Sequence, residues 1–208
     1  MNHVVERTTS KPKSMSVGTD AFYRQNAHSY FERTFGVPME HLYRPFLEEL
    51  GEGARILDVG CGSGRDVKAF RSMGFQAFGI DPSPELLALA SANVGPYFTS
   101  GRAETFKADA PFDAVWACAS LLHLRRAQLH STLRNLRDSL RPGGVFFATV
   151  QVGVGEHVQS DGRQYTYYGP AEFVDAVIES GLQVFRSWET GDAMRSDGPR
   201  WINVLARR

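Results

Sequence analysis

The sequence is poor in cysteine, carries no excess charge of either sign and contains no long apolar run. Its two cysteines, Cys61 and Cys118, are too few for a disulfide scaffold and lack metal-ligand spacing, so we predict no metal site. The 23 basic and 23 acidic residues balance, which argues against a broad nucleic-acid surface. No apolar run approaches the roughly 20 residues that span a bilayer, and the N-terminal stretch lacks a secretory signal's apolar segment. These absences predict a cytoplasmic protein without membrane contact.

The remaining composition is that of a globular domain. Of the 208 residues, 42% are hydrophobic and 12% aromatic, which is enough for one substantial core. We predict a mobile tail over 1–18, where Lys, Ser and Pro are frequent, and a single domain over 19–208. Two helices, over 19–34 and 38–50, are predicted to form an N-terminal lid.

Strand and helix patterns then alternate along the chain. Strands are predicted over 55–59, 76–80, 96–99, 112–117 and 145–150, with helices between them and a turn at RPGG, 141–144. A last helix over 170–181 precedes two β-rich segments, 182–189 and 201–206, with no helix between them. This order predicts an α/β, Rossmann-like fold. It has a mainly parallel seven-stranded sheet, helices on both faces and a C-terminal antiparallel hairpin.

A glycine turn follows the first strand, in the stretch ILDVGCGSGRD. Gly60, Gly62 and Gly64 allow positive φ and a close approach to a ligand. No Gly-Lys-Ser/Thr follows, which excludes a P-loop, and Arg65 stands where the NAD fingerprint has its third glycine. Asp81 ends the next strand, at the distance expected for a carboxylate that binds ribose hydroxyls. A simple turn with Pro82 is the alternative for Asp81.

Four segments, taken in order, resemble the class I S-adenosylmethionine-dependent methyltransferases, especially small bacterial members. The segments are ILDVGCGSGRD, FGIDPSPELLALA, GRAETF…FDAVWACASLLHL and LRPGGVFFATV. The resemblance implies the cofactor S-adenosylmethionine, with S-adenosylhomocysteine as product, and covers roughly 55–150. It departs from the family at Arg102-Ala103, where members often have an acid followed by alanine. The cofactor-binding residues that it implies are Asp58, Gly60, Cys61, Gly62, Asp81, Pro82, Ala103, Glu104, Ala117 and Cys118.

The resemblance names no catalytic residue, because a sulfonium methyl group is already activated and the enzyme mainly aligns the nucleophile. Segments beyond the strand ends supply the acceptor-binding candidates Tyr23, Tyr30, His123, Glu156, Arg163 and Tyr165. His123 is a candidate base, with a hydrogen-bonded loop histidine as the alternative. Glu156 and Arg163 lie in the glycine-containing loop over 151–168. We predict either that they bind the acceptor or that they pair with each other as a structural clasp. Core packing is the alternative for the two tyrosines of the first helix.

We therefore predict methyl transfer from S-adenosylmethionine to a small-molecule acceptor by in-line displacement, with no obligate protein partner. One alternative is methylation of wobble uridine in tRNA, since the R-x-Y followed by a helix also resembles such enzymes. A second alternative is a protein that binds the cofactor without catalysis, because the glycine turn and Asp81 report binding alone.

Overall fold

The computed structural model of the protein describes residues 18–208. The helices are α1 (Thr19–Gln25), α2 (Ala27–Thr34), α3 (Glu40–Leu47), α4 (Arg65–Ser72), α5 (Pro84–Val94), α6 (Arg126–Asp138) and α7 (Pro170–Glu179), with a 3₁₀ turn at Leu121–His123. The strands are β1 (Arg55–Val59), β2 (Gln76–Asp81), β3 (Phe98–Ser100), β4 (Phe112–Cys118), β5 (Leu140–Gln151), β6 (Glu156–Val158), β7 (Gln164–Thr166), β8 (Gln183–Thr190) and β9 (Trp201–Arg207). The predicted mobile tail lies outside the described residues, apart from Gly18.

Seven of the strands form one sheet in the order β3-β2-β1-β4-β5-β9-β8. Strands β1 to β5 are parallel to one another, whereas β9 is antiparallel to both β5 and β8. The predicted seven-stranded, mainly parallel sheet with a C-terminal antiparallel pair is confirmed. The carboxyl ends of β1, β2, β4 and β5 meet at one edge, where ligands bind in sheets of this kind.

Helices cover both faces of the sheet and bury its apolar side chains. On one face, α3 and α4 place Phe46 and Phe70 against Trp116, which stacks on Phe147 with ring centroids 4.0 Å apart. On the other face, α6 and α7 pack leucines and Phe173 against the sheet. Since strands buried on both faces need apolar residues throughout, the continuous runs in β1, β4 and β5 follow from this arrangement.

The N-terminal helices differ from their prediction. The helix predicted over 19–34 is broken at Asn26, whose backbone leaves the helical region (φ −112°, ψ 17°) and whose amide donates to the Phe22 carbonyl at 2.9 Å. A side chain that bonds to a nearby carbonyl competes with regular helix, which is why asparagine favours such breaks. The helix predicted over 38–50 is shorter, Glu40–Leu47.

The segment after β5 holds a small antiparallel ribbon where a loop was predicted. Strands β6 and β7 pair with Glu156 opposite Thr166. Gly155 lies just before β6, and Gly162 lies between β6 and β7. Both take positive φ, so these glycines make the turns of a defined ribbon. Strand β5 itself begins at Leu140, so the predicted RPGG turn lies within that strand as an irregularity.

Candidate functional site

Two cavities adjoin at the carboxyl edge of the sheet. The first, about 850 Å³ with its open mouth, lies over the glycine turn and the end of β2. The second, about 1060 Å³ with its mouth, lies over the ends of β4 and β5. The residues that line both are Tyr23, Tyr30, Gly60, Ala119 and His123. The two cavities therefore adjoin at these five residues, which we call the junction.

The glycine turn brings backbone against the first cavity. The amides of Gly60 and Cys61 donate to the Ile80 carbonyl at 2.8 and 3.0 Å, which ties the turn to the end of β2. Gly60 and Gly62 have φ of +71° and +49°. A Cβ on Gly60 would lie 2.5 Å from the Cβ of Ser120. Both the conformation and the contact therefore require glycine at position 60.

Asp81 ends β2 with its carboxylate between the turn and the next helix. One oxygen accepts from the Gly62 amide at 3.0 Å and the other from the Ser83 amide at 2.8 Å. Burial raises the pKa of Asp81 to about 6, against the lowering effect of these two bonds. A carboxylate has about four acceptor positions, so two remain for a ligand in the first cavity, which Asp81 lines.

Asp58 lies two residues before the turn and is almost completely buried. Its Oδ2 accepts no hydrogen bond from residues 18–208, and burial raises the pKa of this carboxyl well above its usual range. Asp58 itself lines neither cavity; the neighbouring Val59 and Gly60 line the first. Asp58 therefore leaves a buried oxygen without a partner beside the glycine turn.

The remaining predicted cofactor residues divide between the two cavities. Pro82, Ala103 and Glu104 line the first cavity. The side chains of Cys61 and Cys118 lie at the second, and Ala117 is fully buried and lines neither. Contact of Ala117 and Cys118 with the cofactor stays a prediction. Ala119, with a φ of +53°, and Ser120 are the residues after β4 that face the first cavity.

His123 occupies the junction in a fixed tautomer. Its Nδ1 lies 2.8 Å from the Gln164 carbonyl and its Nε2 lies 2.8 Å from the Tyr23 hydroxyl. Since a carbonyl only accepts, Nδ1 carries the proton, and Nε2 accepts from Tyr23. Burial lowers the pKa of His123 to about 4, so the ring is neutral at pH 7. His123 is hydrogen-bonded on both sides, and only movement of Tyr23 frees its basic nitrogen.

Tyrosines from the broken N-terminal helix complete the junction. The rings of Tyr23 and Tyr30 meet edge to face, with centroids 5.1 Å apart, and Tyr23 meets His123 in the same way. The ring of Tyr30 also covers the turn, because a Cβ on Gly62 would lie 3.2 Å from it. Both tyrosines line the two cavities. Burial raises the pKa of each hydroxyl, so both stay protonated at pH 7.

A buried polar network that the sequence did not reveal forms the floor of the second cavity. Arg65 donates Nε and Nη2 to the two oxygens of Asp66 at 2.6 and 2.9 Å. The same oxygens accept from the Tyr43 hydroxyl at 2.5 Å and the Trp116 indole at 2.8 Å. Despite complete burial, these donors keep the pKa of Asp66 below its usual value, so the pair is ionised. The network holds Arg65 against the cavity beside Cys118.

The loop candidates separate in the structure. Arg163 and Tyr165 line the second cavity, where the guanidinium of Arg163 lies over the rings of Phe22 and Tyr165. Glu156 is exposed, lines neither cavity and accepts from the Arg126 amide. Arg163 pairs with Asp161 at 2.7 Å. The expectations that Glu156 faces the acceptor, or pairs with Arg163 as a clasp, are therefore wrong, because β6 directs Glu156 towards α6.

Other lining residues carried no local signal in the sequence. Asp20 and Arg102 form an ion pair at the first cavity, between α1 and the loop after β3. Thr149, near the end of β5, lines the second cavity together with Asp192 and Met194 from the loop between β8 and β9. Each pair comes from segments far apart in the chain, and only the sheet order brings them together.

Within residues 18–208, no group of three or more His, Cys, Asp or Glu side chains is arranged to hold a metal ion. Across the same part of the chain, no helix has the length and apolar character that crossing a membrane requires.

Comparison with known proteins assigns this arrangement to a family. A family described as a methyltransferase domain matches residues 56–144. A solved 1,6-didemethyltoxoflavin-N1-methyltransferase from Burkholderia thailandensis, with its substrate and S-adenosylhomocysteine bound, is similar at a TM-score of 0.72 and 19% identity. The alignment covers 99% of this chain and 98% of that one. Residues 56–144 are a methyltransferase domain of the class I S-adenosylmethionine-dependent type. S-adenosylmethionine is the cofactor of this methyltransferase family.

Curated methyltransferases also match part of this chain. An uncharacterised methyltransferase of Synechocystis is 31% identical over 117 residues, which are 55% of this chain and 52% of that protein. A malonyl-[acyl-carrier protein] O-methyltransferase of Erwinia pyrifoliae is 30% identical over 142 residues, 67% of this chain and 52% of that protein. The chain thus spans about half the length of these relatives.

Proposed function

We propose that this protein transfers a methyl group from S-adenosylmethionine to a small-molecule acceptor. The observation that carries the proposal is the pair of cavities that meet at Tyr23, Tyr30, Gly60, Ala119 and His123. One cavity has the glycine turn and the strand-end carboxylate, and the other lies beside it across the junction. Transfer between two bound molecules needs such a shared junction, where the reacting atoms approach to about 3 Å.

The residues of the first cavity fit the cofactor. Asp81 has two acceptor positions left for ribose hydroxyls, and Gly60 and Gly62 allow close contact with the backbone. Asp58, two residues before the turn, has a buried oxygen without a partner among residues 18–208. Ala103 and Glu104 line the side expected to hold the adenine. When bound, S-adenosylmethionine supplies an activated methyl group for in-line displacement.

The second cavity supports a small acceptor. Residues of the first three helices, together with Arg163 and Tyr165 at β7, line it. The junction supplies His123 and Tyr23 as polar groups at the point of transfer. The relatives act, by their names, on acceptors as different as a malonyl group on a carrier protein and a didemethyltoxoflavin. Similarity therefore does not name the acceptor.

The first experiment measures cofactor binding by calorimetry with S-adenosylhomocysteine and, in parallel, NAD. We expect S-adenosylhomocysteine to bind and NAD not to bind, and preferential binding of NAD would contradict the proposal. The second experiment incubates the protein and methyl-radiolabelled S-adenosylmethionine with a small-molecule panel and with bulk tRNA.

Label in small molecules supports the proposal. Label in tRNA would favour the RNA alternative. That alternative also requires tRNA binding that is tighter than the nonspecific range of about 10⁻⁴ to 10⁻⁶ M and that weakens steeply with salt. Cofactor binding with no label transferred to either class would favour a protein that binds without catalysis.

A further inference from the structure

The floor of the second cavity presents hydrogen-bond donors and no available carboxylate. Asp66 is the acid in this floor, and its two oxygens already accept four bonds, two from Arg65 and one each from Tyr43 and Trp116. Four bonds fill the acceptor positions of a carboxylate. Asp66 therefore positions Arg65 and has no capacity left for a ligand.

Arg65 keeps one edge of its guanidinium for the cavity. Its Nε and Nη2 bind Asp66, and Nη2 also lies 3.9 Å from the sulfur of Cys118. No acceptor among residues 18–208 takes a hydrogen bond from Nη1. The Arg65 side chain is 19% exposed although it belongs to a buried pair. An arginine fixed on one edge and open on the other is preorganised to bind an anion.

Thr149 adds a second group without a partner on the same floor. It is 2% exposed, and its Oγ1 makes no hydrogen bond with the described part of the chain. Thr149 pairs with Cys118 across β4 and β5, so it flanks the residue that Arg65 also touches. A buried hydroxyl without a partner is costly, and at a cavity the oxygen of a ligand is one group that can satisfy it.

Asp192, the other acid that lines this cavity, lies away from the floor. Asp192 accepts from the amides of Met194 and Arg195 through one oxygen and from the Trp201 indole through the other. It lies at the loop end of the cavity, where its bonds hold that loop. The floor formed by Arg65 and Thr149 thus offers the free donors of Arg65 and a hydroxyl that can donate or accept, with no free carboxylate.

We propose that the acceptor molecule carries a carboxylate group, which Arg65 and Thr149 hold on the floor of the second cavity. This inference rests on the proposed function, since it identifies the chemistry of the molecule that receives the methyl group. Aromatic rings of Tyr23, Tyr30 and Tyr165 line the same cavity above that floor. A planar carboxylic acid satisfies both the donors and the aromatic walls.

The test uses two probes of nearly equal size, 4-hydroxybenzoate and 4-hydroxybenzamide, titrated into the full chain with and without saturating S-adenosylhomocysteine. Wild type is expected to bind the acid at least about tenfold more tightly than the amide, since a hydrogen bond to a charged group contributes about 1.5–3 kcal/mol. Thr149→Val removes the hydroxyl but keeps the shape, and is expected to weaken acid binding about tenfold while leaving amide binding unchanged.

Matched variants separate ligand binding from folding. Thr132→Val removes another buried hydroxyl without a partner, on α6 and outside both cavities, and is expected to leave acid binding unchanged. Arg65→Lys keeps the charge but loses the two-pronged bond to Asp66, and is expected to weaken acid binding. Because the unpaired hydroxyl of Thr149 is costly to bury, Thr149→Val is expected to resist urea at least as well as wild type.

Equal affinity for acid and amide, or no binding of either, would overturn the inference, and so would a Thr149→Val variant with wild-type affinity for the acid. Failure of the proposed function is seen separately, as no binding of S-adenosylhomocysteine in a protein that still prefers the acid.

Discussion

Asp81→Ala is the variant that most directly tests the first cavity. The carboxylate accepts the Gly62 and Ser83 amides and offers its remaining acceptor positions to the ribose. If two ribose hydroxyls bind there, their loss removes about 2–3 kcal/mol of binding free energy, within the range for hydrogen bonds to a charged group. That corresponds to a dissociation constant for S-adenosylhomocysteine about 30- to 150-fold higher.

Asp81→Ala also affects the stability of the fold, because Asp81 holds two backbone amides as well as lining the cavity. Two buried amides lose their acceptor, at about 1–3 kcal/mol each, and the loss is partly offset because a desolvated carboxylate is removed. We expect Asp81→Ala to lower the free energy of unfolding by about 1–3 kcal/mol and to remain folded. Urea unfolding measures this directly, and calorimetry at 25 °C gives the affinity of the folded variant.

Ser83→Ala is the matched control. The Ser83 hydroxyl accepts from the Leu86 amide at the start of α5, while its own backbone amide keeps the bond to Asp81. We expect a loss of about 0.5–2 kcal/mol in stability with cofactor affinity unchanged. If folded Asp81→Ala binds S-adenosylhomocysteine as tightly as wild type, Asp81 serves only to hold the turn, and the assignment of the ribose to it is refuted.

Three further predictions concern the same edge of the sheet. Because burial raises the pKa of Asp81 to about 6, S-adenosylhomocysteine affinity should fall as pH drops through 6, and this dependence should be absent in Asp81→Ala. A raised acid pKa means that the folded state binds more protons between pH 3.8 and about 6, so the contribution of Asp81 to the free energy of unfolding decreases as pH rises through that window. Gly60→Ala should lose at least about 1–2 kcal/mol of stability, because its φ is +71° and Ser120 blocks a Cβ, whereas Gly51→Ala, with open space around it, should not. Glu156→Gln should leave turnover within about twofold of wild type, since the side chain lies outside both cavities and surface changes are usually small, and a tenfold loss would contradict that placement.

The sequence predicted well those features that are encoded over short distances. β1 has the predicted bounds because a continuous apolar run ends at glycines that cannot continue a strand. Asp81 lies at the first cavity because strand alternation and the spacing from the glycine turn both place it there. The parallel order of β1, β2, β4 and β5 follows from the helices between them. In each instance a local pattern and the global fold require the same residue type.

The acceptor side could not be predicted in this way. In the sequence, Arg65 stands out only as a departure from the dinucleotide fingerprint. Its burial depends on the network with Asp66, Tyr43 and Trp116, which come from three separate segments. Glu156 was misplaced because strands of three residues carry too little alternation to show which way a side chain points. Tertiary partners, rather than spacing, decide the position of both groups.

The distribution of these residues along the chain explains why family similarity identifies the cofactor more readily than the acceptor. The family match, 56–144, contains the glycine turn, Asp81 and His123. Tyr23 and Tyr30 precede it, and the break at Asn26 brings their rings within 5.1 Å, although seven residues of straight helix rise about 10.5 Å. Thr149, Arg163 and Tyr165 follow it. Of the two cavities, Thr149, Arg163 and Tyr165 line the second alone, so changes there alter that cavity and leave the glycine turn and Asp81 as they are.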